Sequence, residues 1–170
     1  LSLINTPGAY PGIGAEERGQ AEAIARNLME MSALRVPIIV VVTGEGGSGG
    51  ALGIGLGDRI MMLEYSYYSV STPEACAAIL WKDSEKAGEA AEALKITAKA
   101  LRELGIIDRI IKEPAGGAHQ NPQEAAMFLK EAVLEEYRAL SKLSPEELVN
   151  RRYMKYRQLG VYSEDINNAT

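Results

Sequence analysis

The run "VPIIVVVTGEGGSGGALGIGLG", Val36–Gly57, constrains the fold more than any other part of the chain. Ile38–Thr43 is unbroken and β-branched, the pattern of a strand buried on both faces of a parallel sheet. Eight glycines follow between Gly44 and Gly57, and a short helical segment is predicted over Gly49–Leu56. A glycine turn between strand and helix lets backbone N–H groups approach something negative. So many glycines exceed what a tight turn alone requires.

Three chemistries share this pattern. Gly44–Gly49 matches G-x-G-x-x-G after a strand, with Glu64 near the place of a ribose-binding acid. The following helix, interrupted by Gly53, Gly55 and Gly57, is too short for a dinucleotide crossover. No lysine follows the glycines, which excludes a phosphate P-loop. Gly46–Gly50 also matches the nucleophile elbow G-x-S-x-G around Ser48. Its partners would be Asp108 and His119, the only histidine, with hardly any scaffold between them. The third reading is an oxyanion hole with no nucleophile attached. Amides at a helix start hold a developing negative oxygen, each donor being worth roughly 3 kcal/mol. That chemistry needs no His, Cys or Asp in a catalytic role, and it suits a chain poor in those residues.

Around this unit, "NTPGAYPGIGAEERGQ" reads as a loop leading into a helix over Ala15–Leu34. Ala21, Ile24, Ala25, Leu28 and Met31 fall at helical spacing there. Arg59–Glu64 and Tyr67–Ser71 read as short strands joined by a turn. Thr72 as N-cap and Pro73 at the first helical position open a helix over Glu74–Leu80. Ser84–Leu104 reads as one alanine-rich helix ended by Gly105, and "IIDRII" as a strand. Pro122 opens a helix running to about Lys142, and Ser144, Pro145 and Glu147 form a capping-box pattern for the next. No internal repeat or interdomain linker is apparent. One domain, 1–158, followed by a polar tail, 159–170, is the expected organisation, with the tail frayed. A start at Leu1, inside what reads as the end of a strand, leads us to expect further sequence upstream.

A net charge of −5 without a basic or aromatic-interleaved patch argues against nucleic acid. The longest apolar run is too short to cross a bilayer, so no membrane role is expected. Cys76 is the sole cysteine, which excludes an intrachain disulfide and a multi-cysteine zinc site. No metal and a reduced, cytoplasmic setting are therefore the expectations.

Four separated blocks, "NTPGAYPGIGAEERGQAEAIARNL", "GEGGSGGALGIG", "YSVSTPEACAAILWKD" and "EPAGGAHQNP", closely resemble the carboxyltransferase α subunits of bacterial acetyl-coenzyme A carboxylases. The resemblance runs from Ile4 to about Tyr153; Thr72 and Ala75 stand where the family pattern has serine and glycine. It implies an α/β, crotonase/ClpP-like spiral of ββα units whose N-terminal part lies outside this chain. It also implies transfer of a carboxyl group from carboxybiotin, on a biotin carboxyl carrier protein, to acetyl-coenzyme A, giving malonyl-coenzyme A for fatty acid synthesis. The implied partners are a carboxyltransferase β subunit, in an α2β2 assembly sharing the active site, and biotin carboxylase in the larger ATP-dependent complex. Under the oxyanion reading, Gly49 and Gly50 are expected to donate to the biotin ureido oxygen, with Gly46 and Gly47 shaping the turn. Gly8, Ala9, Tyr10, Pro11 and Gly12 are expected to line the biotin pocket. Another crotonase-type hydratase or isomerase is the alternative. It would need a side-chain acid or base, for which Glu45, Glu64 and Glu74 are available. The roles of Glu45, Glu74 and His119 and the residues touching coenzyme A stay open.

Overall fold

A computed structural model describes residues 1–160; most of the expected tail, 161–170, lies outside the described residues. The centre is a parallel sheet of β1 (Ser2–Thr6), β2 (Ile39–Gly47), β3 (Arg59–Leu63) and β5 (Arg109–Ile111), side by side in that order. The short β4 (Tyr67–Ser69) adds to the far end of β2, also parallel, at Glu45–Gly47. The turn between β3 and β4 thus makes no hairpin: both strands pair with β2.

β2 runs four residues past the predicted Thr43 because its glycines permit close strand approach. A Cβ on Gly44 would lie 2.6 Å from Asn5 Oδ1, and one on Gly46 2.9 Å from the Tyr68 ring. Half of the presumed turn is therefore strand. Alternate residues of β2 and β3 feed two cores, as expected of a strand covered on both faces. Val40, Val42, Ile60 and Met62 pack with Ile4, Ala51, Ala98 and Leu101 on one face. Ile39, Val41, Met61 and Leu63 pack with Ala132, Leu140 and Leu148 on the other.

Two predicted helices are broken. Ala15–Leu34 is instead α1 (Ile13–Glu17) and α2 (Gln20–Ala33), divided at Gly19, whose φ of +82° a continuous helix cannot contain. After α3 (Ser48–Leu52) and α4 (Pro73–Trp81), the predicted helix over Ser84–Leu104 becomes a 3-10 turn (Ser84–Lys86), α5 (Ala87–Leu94) and α6 (Ala98–Glu103). The cause is tertiary. The Tyr68 N–H donates to the Ile96 carbonyl at 3.0 Å, and Thr97 bridges Tyr67, which draws the chain out to β4. The local signals elsewhere hold. Thr72 accepts from the Ala75 N–H at 3.2 Å, and α7 (Pro122–Leu140) begins at its proline. The capping box of Ser144 and Glu147 opens α8 (Pro145–Arg157).

An internal repeat, unnoticed in the sequence, surfaces in the sheet. Asp58-Arg59-Ile60 and Asp108-Arg109-Ile110 begin β3 and β5 in the same way. Asp58 accepts from the N–H of Ile38, just before β2, at 2.7 Å, and Asp108 from the Ile60 N–H of β3 at 2.6 Å. Each aspartate then meets a cation of α8, Arg152 and Lys155 respectively. Each arginine meets a glutamate of α7: Arg59 pairs with Glu136 at 2.8 Å and Arg109 with Glu135 at 2.6 Å. Successive turns of the spiral are thus tied to the same two helices by the same three-residue phrase. The ties all sit where β3 and β5 begin.

Candidate active site at the strand-to-helix turn

β1 and β2 both run out at the carboxyl edge of the parallel sheet, the edge where open α/β folds place ligands. β1 leads into the loop Pro7–Gly12, and β2 leads straight into α3. Two segments singled out in the sequence are therefore neighbours. A Cβ on Gly47 would lie 2.0 Å from the Pro7 carbonyl oxygen, and one on Gly50 2.6 Å from the Gly8 carbonyl carbon and 2.7 Å from the Ala9 nitrogen. Backbone meets backbone with no room for side chains, which is what glycine at these two positions provides.

The loop is held at both ends. The Thr6 hydroxyl accepts from the Gly8 N–H at 3.3 Å and lies 3.1 Å from the Gly8 carbonyl, fixing Gly8 at φ +150°. The Gln20 amide donates to the Tyr10 carbonyl. Tyr10 itself is 74% exposed, and its ring covers the space where Gly12 lacks a Cβ. Pro11 is also exposed. Across the turn, Asn5 Oδ1 accepts from the Glu45 N–H at 3.0 Å, and the Thr43 hydroxyl donates to the Ile4 carbonyl at 3.1 Å. Neither Asn5 nor Thr43 stood out in the sequence as a support for the turn, since a single polar residue at a strand end carries no pattern.

The expected donors divide between two elements. Gly46 is buried in β2 beneath Tyr68, and Gly47 is the last residue of β2 and the N-cap of α3. Gly49 and Gly50 lie in the first turn of α3, where backbone N–H groups lack intrahelical partners. No side chain caps that helix. Cavities of about 530 Å³ and 380 Å³ flank α3, one towards Ile24 and Asn27 of α2, the other towards Leu52, Val70 and Leu94. The larger groove of about 820 Å³ lies between the end of α2 and α8, at the opposite edge of the sheet.

The competing chemistries lose their partners here. Asp108 precedes β5, at the edge opposite Ser48, and is engaged by Lys155. His119 follows β5, two strands from β2, with its ring against Gly117 and its Nε2 3.0 Å from the Gln120 amide. Ser48, His119 and Asp108 therefore form no Ser-His-Asp array. α3 spans five residues, far short of a dinucleotide crossover helix. Glu45 adjoins Tyr67, whose phenol is pushed above its ordinary value by burial and then by the Glu45 carboxylate. Glu64 accepts from the Glu113 N–H at 3.3 Å, and Glu74 sits in the first turn of α4. None of the three lines either cavity beside α3. Among the described residues no cluster of His, Cys, Asp and Glu is arranged to hold a metal, and no helix is long and apolar enough to cross a membrane.

A family model described as acetyl co-enzyme A carboxylase carboxyltransferase-like matches residues 1–160. The carboxyl transferase subunit alpha of acetyl-coenzyme A carboxylase from Geobacter metallireducens is 61% identical over 96% of this chain and 52% of its own length. The subunit of the same name from Crocosphaera subtropica is 61% identical over 99% of this chain and 51% of its own. The chain thus spans about half the length of the curated relatives it matches. Among solved structures, a Pseudomonas malonate decarboxylase heterodimer superimposes with a TM-score of 0.72 at 18% identity, over 92% of this chain and 62% of that one. A transcarboxylase 12S structure does so at 0.58 and 17%, over 99% and 29%. At such identities the likeness concerns fold, and the fold is the crotonase type.

Proposed function

The chain belongs to the acetyl co-enzyme A carboxylase carboxyltransferase-like family, and from that membership we propose that it serves as the carboxyltransferase α component of acetyl-coenzyme A carboxylase. In this reading it works with a β subunit, in an α2β2 assembly, in the cytoplasm. It takes the carboxyl group from the biotin of a carrier protein that biotin carboxylase has charged at the expense of ATP. It passes that group to acetyl-coenzyme A, forming malonyl-coenzyme A for fatty acid synthesis.

The observation that carries this reading is the backbone-to-backbone contact of Gly8–Ala9 with Gly47 and Gly50 at the first turn of α3. The residues fit a ureido group: no side chain caps the first-turn amides of α3, and cavities border Gly49 and Gly50. Carboxybiotin bound there would supply the carboxyl group and a ureido oxygen able to carry negative charge. The amides of Gly49 and Gly50 stabilise an oxygen charge in that place without reorganising, because the helix already points them. The loop Gly8–Gly12, pinned by Thr6 and Gln20, orients the ring beside them, with Tyr10 as its outer wall. Positioning of this kind lowers the barrier by holding reactants in a productive geometry.

The reading is tested by assembling the complete subunit with its β partner and a carboxylated biotin carrier, then following malonyl-coenzyme A. Turnover that depends on the biotinylated carrier is expected. A folded complex that produces none would defeat it. A hydratase or isomerase would instead turn over an acyl-coenzyme A with the chain alone.

A further inference from the structure

Ser48 has a left-handed backbone, with φ +49°. The other non-glycine residues of this kind among those described, Lys82 and Lys95, are the C-caps of α4 and α5. Helix ends commonly adopt that conformation. Ser48 opens a helix instead, directly after a strand. Glycine adopts such angles without steric cost, and glycines flank Ser48 at positions 46, 47, 49 and 50. A serine at the one position of this run where the backbone most favours glycine implies that its side chain is used.

Holding the turn together is not that use. The hydrogen bonds that tie this region run through Asn5, Thr6, Gln20 and Thr43. The Ser48 side chain is exposed and faces the loop, its Cβ 3.6 Å from the place a Cβ on Gly8 would take. It also borders the cavity of about 380 Å³ that reaches Leu52 and Val70. A strained serine between strand and helix is the geometry of a nucleophile elbow. Here, however, the base is missing, with His119 two strands away and Asp108 at the opposite edge. What remains for an aimed hydroxyl is to donate a hydrogen bond.

We propose that Ser48 is a substrate-contacting residue whose hydroxyl donates to the same oxygen as the first-turn amides of α3. This rests on the reading of that turn as an oxyanion site. Backbone strain held at a site in order to aim a group is a recognised use of left-handed non-glycine residues. A donor fixed in this way needs no rearrangement as charge develops.

Two variants of the assembled enzyme test the role. Ser48→Gly relieves the backbone and removes the hydroxyl; its melting midpoint should rise while kcat falls about tenfold to a hundredfold. Ser48→Ala keeps the backbone conformation and should lose activity to a similar extent, with the midpoint near that of the parent. Full activity in either variant, or a lower midpoint for Ser48→Gly, would overturn the proposal, the latter because it would mean that the side chain serves packing. An inactive parent complex would overturn both the functional reading and the role of Ser48. An active parent with active variants would overturn only the latter.

Discussion

Arg152 of α8 grips Asp58 through two hydrogen bonds of 2.9 Å each, from Nε to Oδ1 and from Nη2 to Oδ2, with both side chains buried. The same guanidinium donates to the Met31 and Leu34 carbonyls at the end of α2, at 2.9 and 2.7 Å, and to the Val36 carbonyl at 3.0 Å. One side chain thus satisfies the last carbonyls of α2, the entry to β2 and the carboxylate that starts β3. Removing it leaves the buried Asp58 carboxylate without its cationic partner. Arg152→Ala is expected to destabilise the fold by about 3–5 kcal/mol, read from denaturant midpoints. Replacing both partners, as in Arg152→Met with Asp58→Leu, should cost less than Arg152→Ala alone. A smaller loss in the single variant than in the double would refute this account.

Gly49 and Gly50 make a paired prediction. A Cβ on Gly50 meets main-chain atoms of Gly8 and Ala9 that cannot move without displacing the loop. A Cβ on Gly49 meets only the tip of Ile24, at 3.4 Å, which can turn aside. Both substitutions keep the N–H groups. Gly50→Ala should therefore reduce carboxyl transfer about a hundredfold or more by moving the loop, whereas Gly49→Ala should leave most of it. Equal effects in the two variants would mean that contact between loop and turn does not matter to the reaction.

The strand-to-helix unit was legible because an unbroken apolar run and a glycine cluster are local signals, and so were the caps at Thr72 and Ser144. The neighbourhood of the Gly8 loop and the turn was approached through family resemblance, since the two segments stand some forty residues apart and no periodicity joins them. What stayed hidden depends on tertiary partners. Nothing near Ile96 announces that Tyr68 will take its carbonyl and break a helix. Arg152 is one basic residue among several in α8, and only the fold makes it buried. The Asp-Arg-Ile repeat was visible in principle, but three residues recurring fifty apart carry little weight until both aspartates are seen accepting a backbone N–H at or just before the adjacent strand. The left-handed angle of Ser48 is likewise a property of the joint rather than of the residue.

Tyr10, in the loop beside the candidate turn, is largely exposed, and its backbone carbonyl rather than its ring is held, by the Gln20 amide. Its loss should therefore not unfold anything. Tyr10→Ala is expected to leave the melting midpoint unchanged and to raise KM for the carboxylated carrier about tenfold, the value of one lost aromatic contact. Tyr10→Phe should retain most of the parent affinity. A change in kcat with KM unaltered would place Tyr10 outside the pocket wall.

Tyr156 gives the fold a pH dependence of definite sign. Its hydroxyl accepts from the Gly57 N–H at 2.9 Å, and burial pushes the phenol up from 10.0 to about 12. Because the folded state keeps the proton longer than the unfolded chain, the contribution of Tyr156 is intact below pH 10. It is lost as pH rises from there towards about 12. Lys155 acts in the opposite sense: burial lowers its pKa from 10.5 against the pull of Asp108, so the penalty for its charge is relieved as pH rises. Tyr156→Phe should cost about 1–2 kcal/mol at neutral pH, since the Gly57 N–H loses its acceptor. It should also shrink the alkaline fall, leaving the part that Tyr67 and Tyr68, whose phenols burial likewise raises, contribute against the opposing rise from Lys155. Urea midpoints of parent and variant at a series of pH values from 8 upward would show the two curves converging. Parallel curves would mean that the phenol does not govern the alkaline limb.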